Sequence, residues 1–243
     1  MKLGALLAAS SLLTLGVSCV AQRGEGSVTG ELDVVDCWSG NFDLEPNFFG
    51  AAVYEDTLTL RIQRDSDFFT FADGVAILID DLHAIRGDDQ RPSQYGAAIP
   101  VGLPSGVAPP GSPVAADPTP TTVHLNLYLQ KTCRTQNVAL HAAEAVQLNA
   151  DGSCQSVRPV CSDETSTEPS TLGHSTITFD NLFNGDILSH DERDTRIRGH
   201  FDVYLTDPRE ACPGGGSPPP CRGHLIGDFD YEYNRSRPYQ PFP

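Results

Sequence analysis

The sequence is poor in basic residues. It has 16 Lys and Arg against 32 Asp and Glu, a formal net charge of −16, and its only lysines are Lys2 and Lys131. A surface of this sign repels the phosphates of DNA and RNA, so we expect no nucleic-acid partner. The charge favours solubility and hydrated cations, but it identifies no ligand.

The apolar run at the start is too short to cross a bilayer. It extends from Leu3 to Leu15, follows the basic Lys2 and precedes small residues, which is the layout of a secretory signal. We therefore assign residues 1–18 to a signal peptide and expect an exported protein.

Cys19 makes the signal-peptide assignment more specific. A cysteine directly after the apolar run resembles the signal of bacterial lipoproteins, in which that cysteine becomes the acylated first residue. Gly16 stands where that pattern prefers Leu, and ordinary cleavage after Ala21 is the alternative. We predict lipidation at Cys19, attachment to the membrane through the lipid, and a short tether over residues 19–27.

The chain lacks the spacing of a zinc site, since it has neither a Cys-x-x-Cys pair nor a His-x-x-x-His pair. An even number of cysteines follows Cys19, and in an exported chain that number predicts disulfides. The candidates are Cys37, Cys133, Cys154, Cys161, Cys212 and Cys221. Spacing alone does not choose among the pairings. It suggests two loop closures, Cys154–Cys161 and Cys212–Cys221, with Cys37–Cys133 as a long-range bridge.

Apolar residues alternate with polar ones along most of the chain, which is typical of half-buried strands. The clearest examples are DTLTLRIQR, TTVHLNLYLQ, HSTITF, RIRGHFDVYL and HLIGDFDYEY. GVAILIDD is apolar on both faces, so we place it centrally in a sheet or between layers. The fold class predicted is all-β: an antiparallel β-sandwich or partly open barrel, with long Pro/Gly-rich loops and disulfide staples.

A few segments are ambiguous. NVALHAAEAVQL contains helix-forming alanines, but its apolar spacing favours a strand. FDLEPNFFG and NLFNGDILSHDERD are each expected to hold a short turn of helix. Residues 86–122 are rich in Pro and Gly and predict a long loop within one domain, residues 28–243. Alternatively, AAIPVGLP within that loop forms an edge strand, where prolines are tolerated.

One heptapeptide pattern occurs three times, as VTGELDV from Val28, IRGHFDV from Ile197 and LIGDFDY from Leu225. Each places a glycine and large apolar residues on one face and an aspartate on the other. We predict three antiparallel strands of one sheet, the second and third paired through the loop closed by Cys212 and Cys221. The glycines should lie where a large neighbouring side chain crosses.

Acidic pairs raise the possibility of calcium, whose preferred ligands are oxygens. They occur at Asp65 to Asp67, Asp80 and Asp81, Asp191 to Asp194, and Asp228 to Asp230. No stretch matches the twelve-residue calcium loop, and carboxylates on a strand are ordinarily solvated. We therefore predict no metal ligand and no cofactor, with calcium as the alternative.

No catalytic residue is predicted. His174 and Ser175 are adjacent, but adjacent residues of a strand point to opposite faces, so the histidine would not activate the serine. Arg86-Gly87-Asp88 spells an adhesion tripeptide, but a given tripeptide readily arises by chance in a chain of this length. Asn234-Arg235-Ser236 spells a glycosylation site, which we do not expect to be used because the lipoprotein-type signal suggests a bacterium.

Five segments together resemble secreted lipoproteins of unknown function from myxobacteria: DGVAILIDD, LYLQKTCRTQNVAL, FDVYLTDPREACPGG, PPPCRGHLIGDF and the ending RPYQPFP. The resemblance spans most of the chain after the signal. It implies a bacterial envelope protein and brings no ligand or catalytic residue with it.

These observations favour a cell-envelope lipoprotein, periplasmic or anchored to the outer membrane, with a binding or structural role. Its protein or polysaccharide partner is unknown. The alternatives are an envelope hydrolase acting on sugar or peptide and a calcium-dependent adhesion module.

Overall fold

The alternating segments form strands, as their period of two predicts. The structure is a computed structural model that describes residues 24–64, 72–103, 121–136, 138–154, 171–182, 196–210 and 218–232. Within these ranges the strands are β1 Gly24–Val34, β2 Trp38–Asp43, β3 Phe48–Tyr54, β4 Thr57–Arg64, β5 Asp73–Ile79, β6 Ile99–Pro100, β7 Val123–Leu129, β8 Ala139–Ala142, β9 Ala145–Leu148, β10 Thr171–His174, β11 Thr176–Leu182, β12 Arg196–Thr206 and β13 Gly223–Glu232. The helices are α1 Leu82–Arg86 and a 3-10 turn at Pro208–Glu210.

Eleven of these strands make one antiparallel sheet, and β9 and β10 make a second, small sheet. The order in the large sheet is β2-β1-β13-β12-β8-β7-β5-β4-β3, and β11 pairs with both β12 and β6. The predicted all-β, antiparallel class is confirmed, and the sheet does not close into a barrel.

The large sheet folds over so that its two halves share one core. The edge strand β3 meets β13, because the Phe49 ring lies 5.6 Å from the ring of Tyr231 and the Tyr231 hydroxyl donates to the Gly50 carbonyl. Apolar residues from both halves belong to a single buried cluster. The fold is therefore sandwich-like, with one inner face and one outer face.

The three heptapeptides lie side by side in this sheet. β13 is the middle strand and pairs with β1 on one edge and with β12 on the other, both antiparallel. Leu32, Phe201 and Phe229 are buried, and the following aspartates lie on the outer face. The prediction of three antiparallel neighbours, with β12 and β13 directly paired, is confirmed.

The glycines of the last two repeats face aromatic rings, as predicted. Gly199 lies opposite Phe229, and Gly227 lies opposite Phe201. A Cβ on Gly199 would stand 2.8 Å from Cζ of Phe229, and one on Gly227 would meet the Phe201 ring. Gly30 differs, because a Cβ there would meet the backbone carbonyl of His224.

β12 changes partner halfway along its length. Residues 197–202 pair with β11, and Leu205 and Thr206 pair with β8. At the change, the Ser175 hydroxyl accepts a hydrogen bond from Tyr204 N at 2.9 Å and donates one to Tyr204 O at 3.2 Å. The Ser175 side chain thus supplies the hydrogen bonds of the Tyr204 backbone at the point where neither β11 nor β8 pairs with β12.

The ambiguous segments have mixed outcomes. NVALHAAEAVQL forms strand, as we expected, but divided between β8 and β9. β5 is central, between β4 and β7, and β6 is the strand predicted as an alternative within the long loop. The helical turn expected in FDLEPNFFG is wrong, because Phe48 begins β3 and pairs with Gln63. The similar turn expected in NLFNGDILSHDERD falls largely outside the described residues.

Helix α1 was not expected. It begins where the Asp81 carboxylate accepts a hydrogen bond from Ala84 N at 3.0 Å, which is ordinary N-capping. Leu82 and Ile85 bury its inner side. Among the described residues, no helix is long and apolar enough to span a membrane.

Two disulfides are present among the described cysteines. Cys37–Cys133 joins residues 96 apart, as predicted. The second is Cys154–Cys221, so the predicted closures Cys154–Cys161 and Cys212–Cys221 are wrong. The reason is that Gln147 N donates to the Pro219 carbonyl, which holds β9 beside the segment before Cys221. Cys161 and Cys212 lie outside the described residues.

Candidate functional site

The adjacent His174 and Ser175 do not form a catalytic pair. His174 is exposed and Ser175 is 1% exposed, and they point to opposite faces, as predicted for neighbouring strand residues. The Ser175 hydroxyl both donates to and accepts from the backbone of Tyr204. It is therefore a structural group.

The two carboxylates of the Asp80–Asp81 pair bind different partners. Asp80 Oδ2 lies 2.8 Å from Nε2 of the buried His124, whereas Asp81 binds Arg91 at 2.7 Å. The hydrogen bond from Arg91 is the main reason that the pKa of Asp81 is lowered. In the ranges that the structure describes, no group of three or more His, Cys, Asp or Glu side chains could hold a metal ion. The acidic residues at 65–67 and 191–194 lie outside those ranges, as do Cys19 and the Asn234 motif.

The adhesion tripeptide is also engaged locally. The Asp88 carboxylate accepts hydrogen bonds from the backbone of Gln90 and Arg91 at 2.8 Å and from Arg91 Nε at 2.9 Å. These bonds, chiefly the one from the Arg91 side chain, lower the pKa of Asp88. The arrangement is a closed turn.

The outer face of β1, β13 and β12, which we call the charged face, is largely paired within itself. Asp230 binds both Arg196 and Arg198, and these guanidinium groups lower its pKa. His224 Nε2 lies 2.5 Å from Asp202 and its ring stacks on Tyr204 at 4.3 Å. Because these side chains already bind one another, few of their polar groups are left for a ligand.

The outer face of the other half is different. One cross-strand row runs from β3 to β12, and directly opposite residues in neighbouring strands share a face. Its members in order are Gly50, Arg61, Ala76, Asn126, His141 and Thr206. We call the four polar members, Arg61, Asn126, His141 and Thr206, the polar row. On the β3 side, Gly50 flanks the row and Ala76 separates Arg61 from Asn126.

Three members of the polar row carry buried polar atoms that lack partners. Asn126 Oδ1, His141 Nδ1 and Thr206 Oγ1 are buried and make no hydrogen bond within the described structure. Thr206 as a whole is 0% exposed. Leaving such a group unsatisfied costs about 1–3 kcal/mol, so three in consecutive strands require an explanation.

His141 is the titratable member of the row. Burial lowers its pKa from the ordinary value of 6.5, and the nearby Asp207 carboxylate opposes this only in part. Burial also acts to raise the pKa of Asp207, but the hydrogen bonds and charge of Arg209 outweigh it and the net pKa is lowered. The Asp207–Arg209 pair thus stays ionised beside a neutral imidazole.

A partly exposed aromatic ring adjoins the row. Tyr128 is two residues from Asn126 and therefore on the same face, and it lies opposite the small Ala139 of β8. At the other end, Tyr204 is two residues before Thr206 and packs against the small sheet, where it meets Gly173. Tyr128 thus lies beside Asn126, and Tyr204 lies beside Thr206 at the β12 end of the polar row.

The arrangement shows no activated nucleophile. In the described part of the chain no hydrogen bond joins His141 to Thr206, and Thr206 is inaccessible. The polar row was not predicted from the sequence. The signal available was polar residues on the outward positions of strands whose neighbours are apolar, but the register that aligns them could not be read from the chain.

Comparison with protein-family models, with curated proteins and with solved structures gave no match.

Proposed function

We propose that this chain is an exported, lipid-anchored protein of a bacterial cell envelope that binds a ligand through the polar row. The observation that carries the binding role is the run of three buried, unpartnered polar atoms on β7, β8 and β12. Such groups reduce stability, and positions where a sequence departs from stability are typically functional.

Export is supported by the two disulfides, since such bonds persist in oxidising compartments. The lipid anchor rests on the sequence around Cys19 and on the resemblance to secreted lipoproteins. A hydrolase is less well supported, because the one His–Ser pair that sequence suggested is structural.

The anchor is tested by detergent partitioning of the protein expressed in a bacterial host. The wild-type chain should enter the detergent phase, and Cys19→Ala should leave it or stall as the unprocessed precursor. A wild-type protein that starts at Gln22 and stays in the aqueous phase would end the lipoprotein proposal.

Binding is tested by sedimentation with envelope material from which lipid has been extracted, so that acyl chains have no bilayer to enter. The wild-type protein should sediment with this material, and Asn126→Leu should not. Asn41→Leu, at an exposed position of β2, is the matched control and should behave as wild type. Absence of wild-type binding, or equal binding by Asn126→Leu, would refute the proposed site.

A further inference from the structure

We infer that the free edge of β2 is a docking site for an extended segment of another protein in which basic and apolar residues alternate. Such a segment would add one strand to the large sheet beside β2. This inference concerns a different surface from the polar row and goes beyond the binding role proposed above. It follows from the backbone groups, the side chains and the charge of the edge.

The outer edge of β2 is open. In the described ranges β2 pairs with β1 alone and ends the large sheet on that side. At the other end of the sheet β3 is covered, because the Tyr231 hydroxyl donates to the Gly50 carbonyl. Residues 39–41 of β2 are exposed in succession. An added strand therefore has access to β2 and not to β3.

The direction of the β2 backbone groups follows from its ladder with β1. Leu44 N donates to the Val28 carbonyl, and in an antiparallel ladder hydrogen-bonded pairs recur at every second residue. The backbone groups that point away from β1 therefore belong to Ser39, Asn41 and Asp43. Within the described structure these outward N–H and C=O groups meet no other strand. Alternating donors and acceptors of this kind are satisfied by an extended peptide that adds a strand.

The inner side of the edge offers an apolar contact. Trp38 is partly exposed, packs on the core and meets the Phe42 ring edge-on at 5.9 Å. Gly40 lies between them in the strand, and no atom lies within 4 Å of the place where its Cβ would stand. A side chain that an added strand places opposite Gly40 would lie next to Trp38. The inward residues of the partner are therefore expected to be apolar.

The outer side of the edge is acidic. Glu31 lies opposite Asn41, and both Glu31 and Asp43 are exposed and form no ion pair within the described ranges. A residue of the partner opposite Asp43 would contact that carboxylate directly. A residue opposite Asn41 would lie two strands from Glu31, about 10 Å between α-carbons, which a lysine or arginine and the glutamate can span together. The outward residues of the partner are therefore expected to be basic.

Charge also distinguishes such a partner from a second copy of this chain. Exposed edges are commonly protected by lysine, proline or a bulge. β2 contains neither Lys nor Pro, and no register shift interrupts its pairing with β1. Two copies would each bring a net charge of −16 and the same carboxylates to the edge, so they would repel one another. A basic segment would be attracted.

The test measures binding of synthetic peptides with blocked ends to the protein as exported by a bacterial host. Lys-Val-Lys-Val-Lys-Val-Lys has the expected alternation, and a peptide with Glu for each Lys reverses its charge. A peptide with Pro for each Val keeps the charge but cannot form a strand. Trp38 is the single tryptophan of the chain, so its emission reports on this edge. The first peptide should bind by titration calorimetry and shift that emission to shorter wavelength, and the other two should do neither.

Two matched pairs of variants locate the site. Asn41→Pro removes an outward N–H and should weaken binding of the Lys-Val peptide by about tenfold or more. Asn41→Ala keeps that N–H and should bind as the wild type does, because the contact is made by the main chain. Glu31→Gln combined with Asp43→Asn should weaken binding by about three- to tenfold. Glu55→Gln combined with Asp89→Asn makes the same change of charge at exposed positions elsewhere and should have no effect.

Several results would overturn the inference. They are no binding of the Lys-Val peptide, equal binding of the Lys-Pro peptide, and equal binding by a folded Asn41→Pro protein. If Asn41→Pro does not fold, the Glu31 and Asp43 variant decides against its control. A wild-type dimer in sedimentation that Asn41→Pro abolishes would mean that a second copy occupies the edge. Asn126→Leu should bind the peptide as the wild type does, so failure at β2 and failure at the polar row are separate results.

Discussion

Phe201 lies directly opposite Gly227 in the β12–β13 ladder, and its ring occupies the place where a side chain on Gly227 would stand. Two residues along, the relation is reversed, with Phe229 covering Gly199. Because each glycine has no side chain, the opposite ring can lie over the backbone and fill the core. In the second and third repeats, the glycine of each strand therefore receives the ring of its neighbour.

Gly199→Val should destabilise the protein by about 1–3 kcal/mol. The new Cβ would stand 2.5 Å from the Thr178 carbonyl oxygen and 2.8 Å from the Phe229 ring, so the strands would have to shift. The free energy of unfolding from urea titration measures this. Asp202→Asn, on the exposed side of the same strand, is the control and should change stability by no more than about 0.5 kcal/mol. Equal effects would mean that the glycine is not a packing position.

Ser175→Ala should cost about 1–3 kcal/mol, because Tyr204 N would lose the hydroxyl that replaces the ladder. His174→Ala, at the adjacent exposed position, should be nearly neutral. Thermal unfolding of both variants checks the difference. A Ser175→Ala protein as stable as the wild type would show that the bonds to Tyr204 contribute nothing.

Peptide mapping of the unreduced protein should recover Cys154 linked to Cys221 and Cys37 linked to Cys133. With six cysteines after Cys19, the pair left over is Cys161 and Cys212, and we predict that no free thiol remains. Replacing Cys154 and Cys221 together by Ser should lower stability by about 2–4 kcal/mol in the chain-entropy account. A Cys154–Cys161 peptide would contradict the pairing.

Acidification should destabilise the protein partly through His141. Its pKa in the folded state lies below the ordinary 6.5, so the unfolded chain binds the proton more tightly. The contribution to stability is present above pH 6.5 and is lost as the pH falls through the folded value. His141→Gln should therefore lose less stability than the wild type between pH 7.5 and pH 5, measured by urea unfolding. Asn126→Leu, in the same row without a titratable group, should keep the wild-type dependence.

The strands were predictable because burial on one face imposes a period of two, which is visible in segments such as TLTLRIQR and VHLNLYL. The direct pairing of the second and third repeats was predictable, because the glycine of each can receive the phenylalanine ring of the other. The position of the first repeat beside β13 was not predicted. Helix α1 was not predictable, because five residues between the Asp81 cap and Gly87 are too few to show the apolar spacing of a helix.

The disulfide pairing and the polar row escaped prediction for a common reason. Both depend on which distant segments become neighbours. Cys154 meets Cys221 because β9 lies beside residues 219–220, and His141 meets Thr206 because β12 leaves β11 and joins β8. No local pattern encodes that change of partner.

The pairing of Gly24 with Tyr231 has a consequence for how the protein would stand on a membrane. If Cys19 is acylated, its α-carbon, five residues before Gly24, would be within about 17 Å of the start of β1 even with the chain fully extended. That corner, where both ends of the described chain emerge, would then face the bilayer. The turn after Val34 would lie up to about 36 Å farther out, the length of β1. A fluorophore at residue 36 would sense the distal end of the domain, and one after Glu232 would sense the lipid surface.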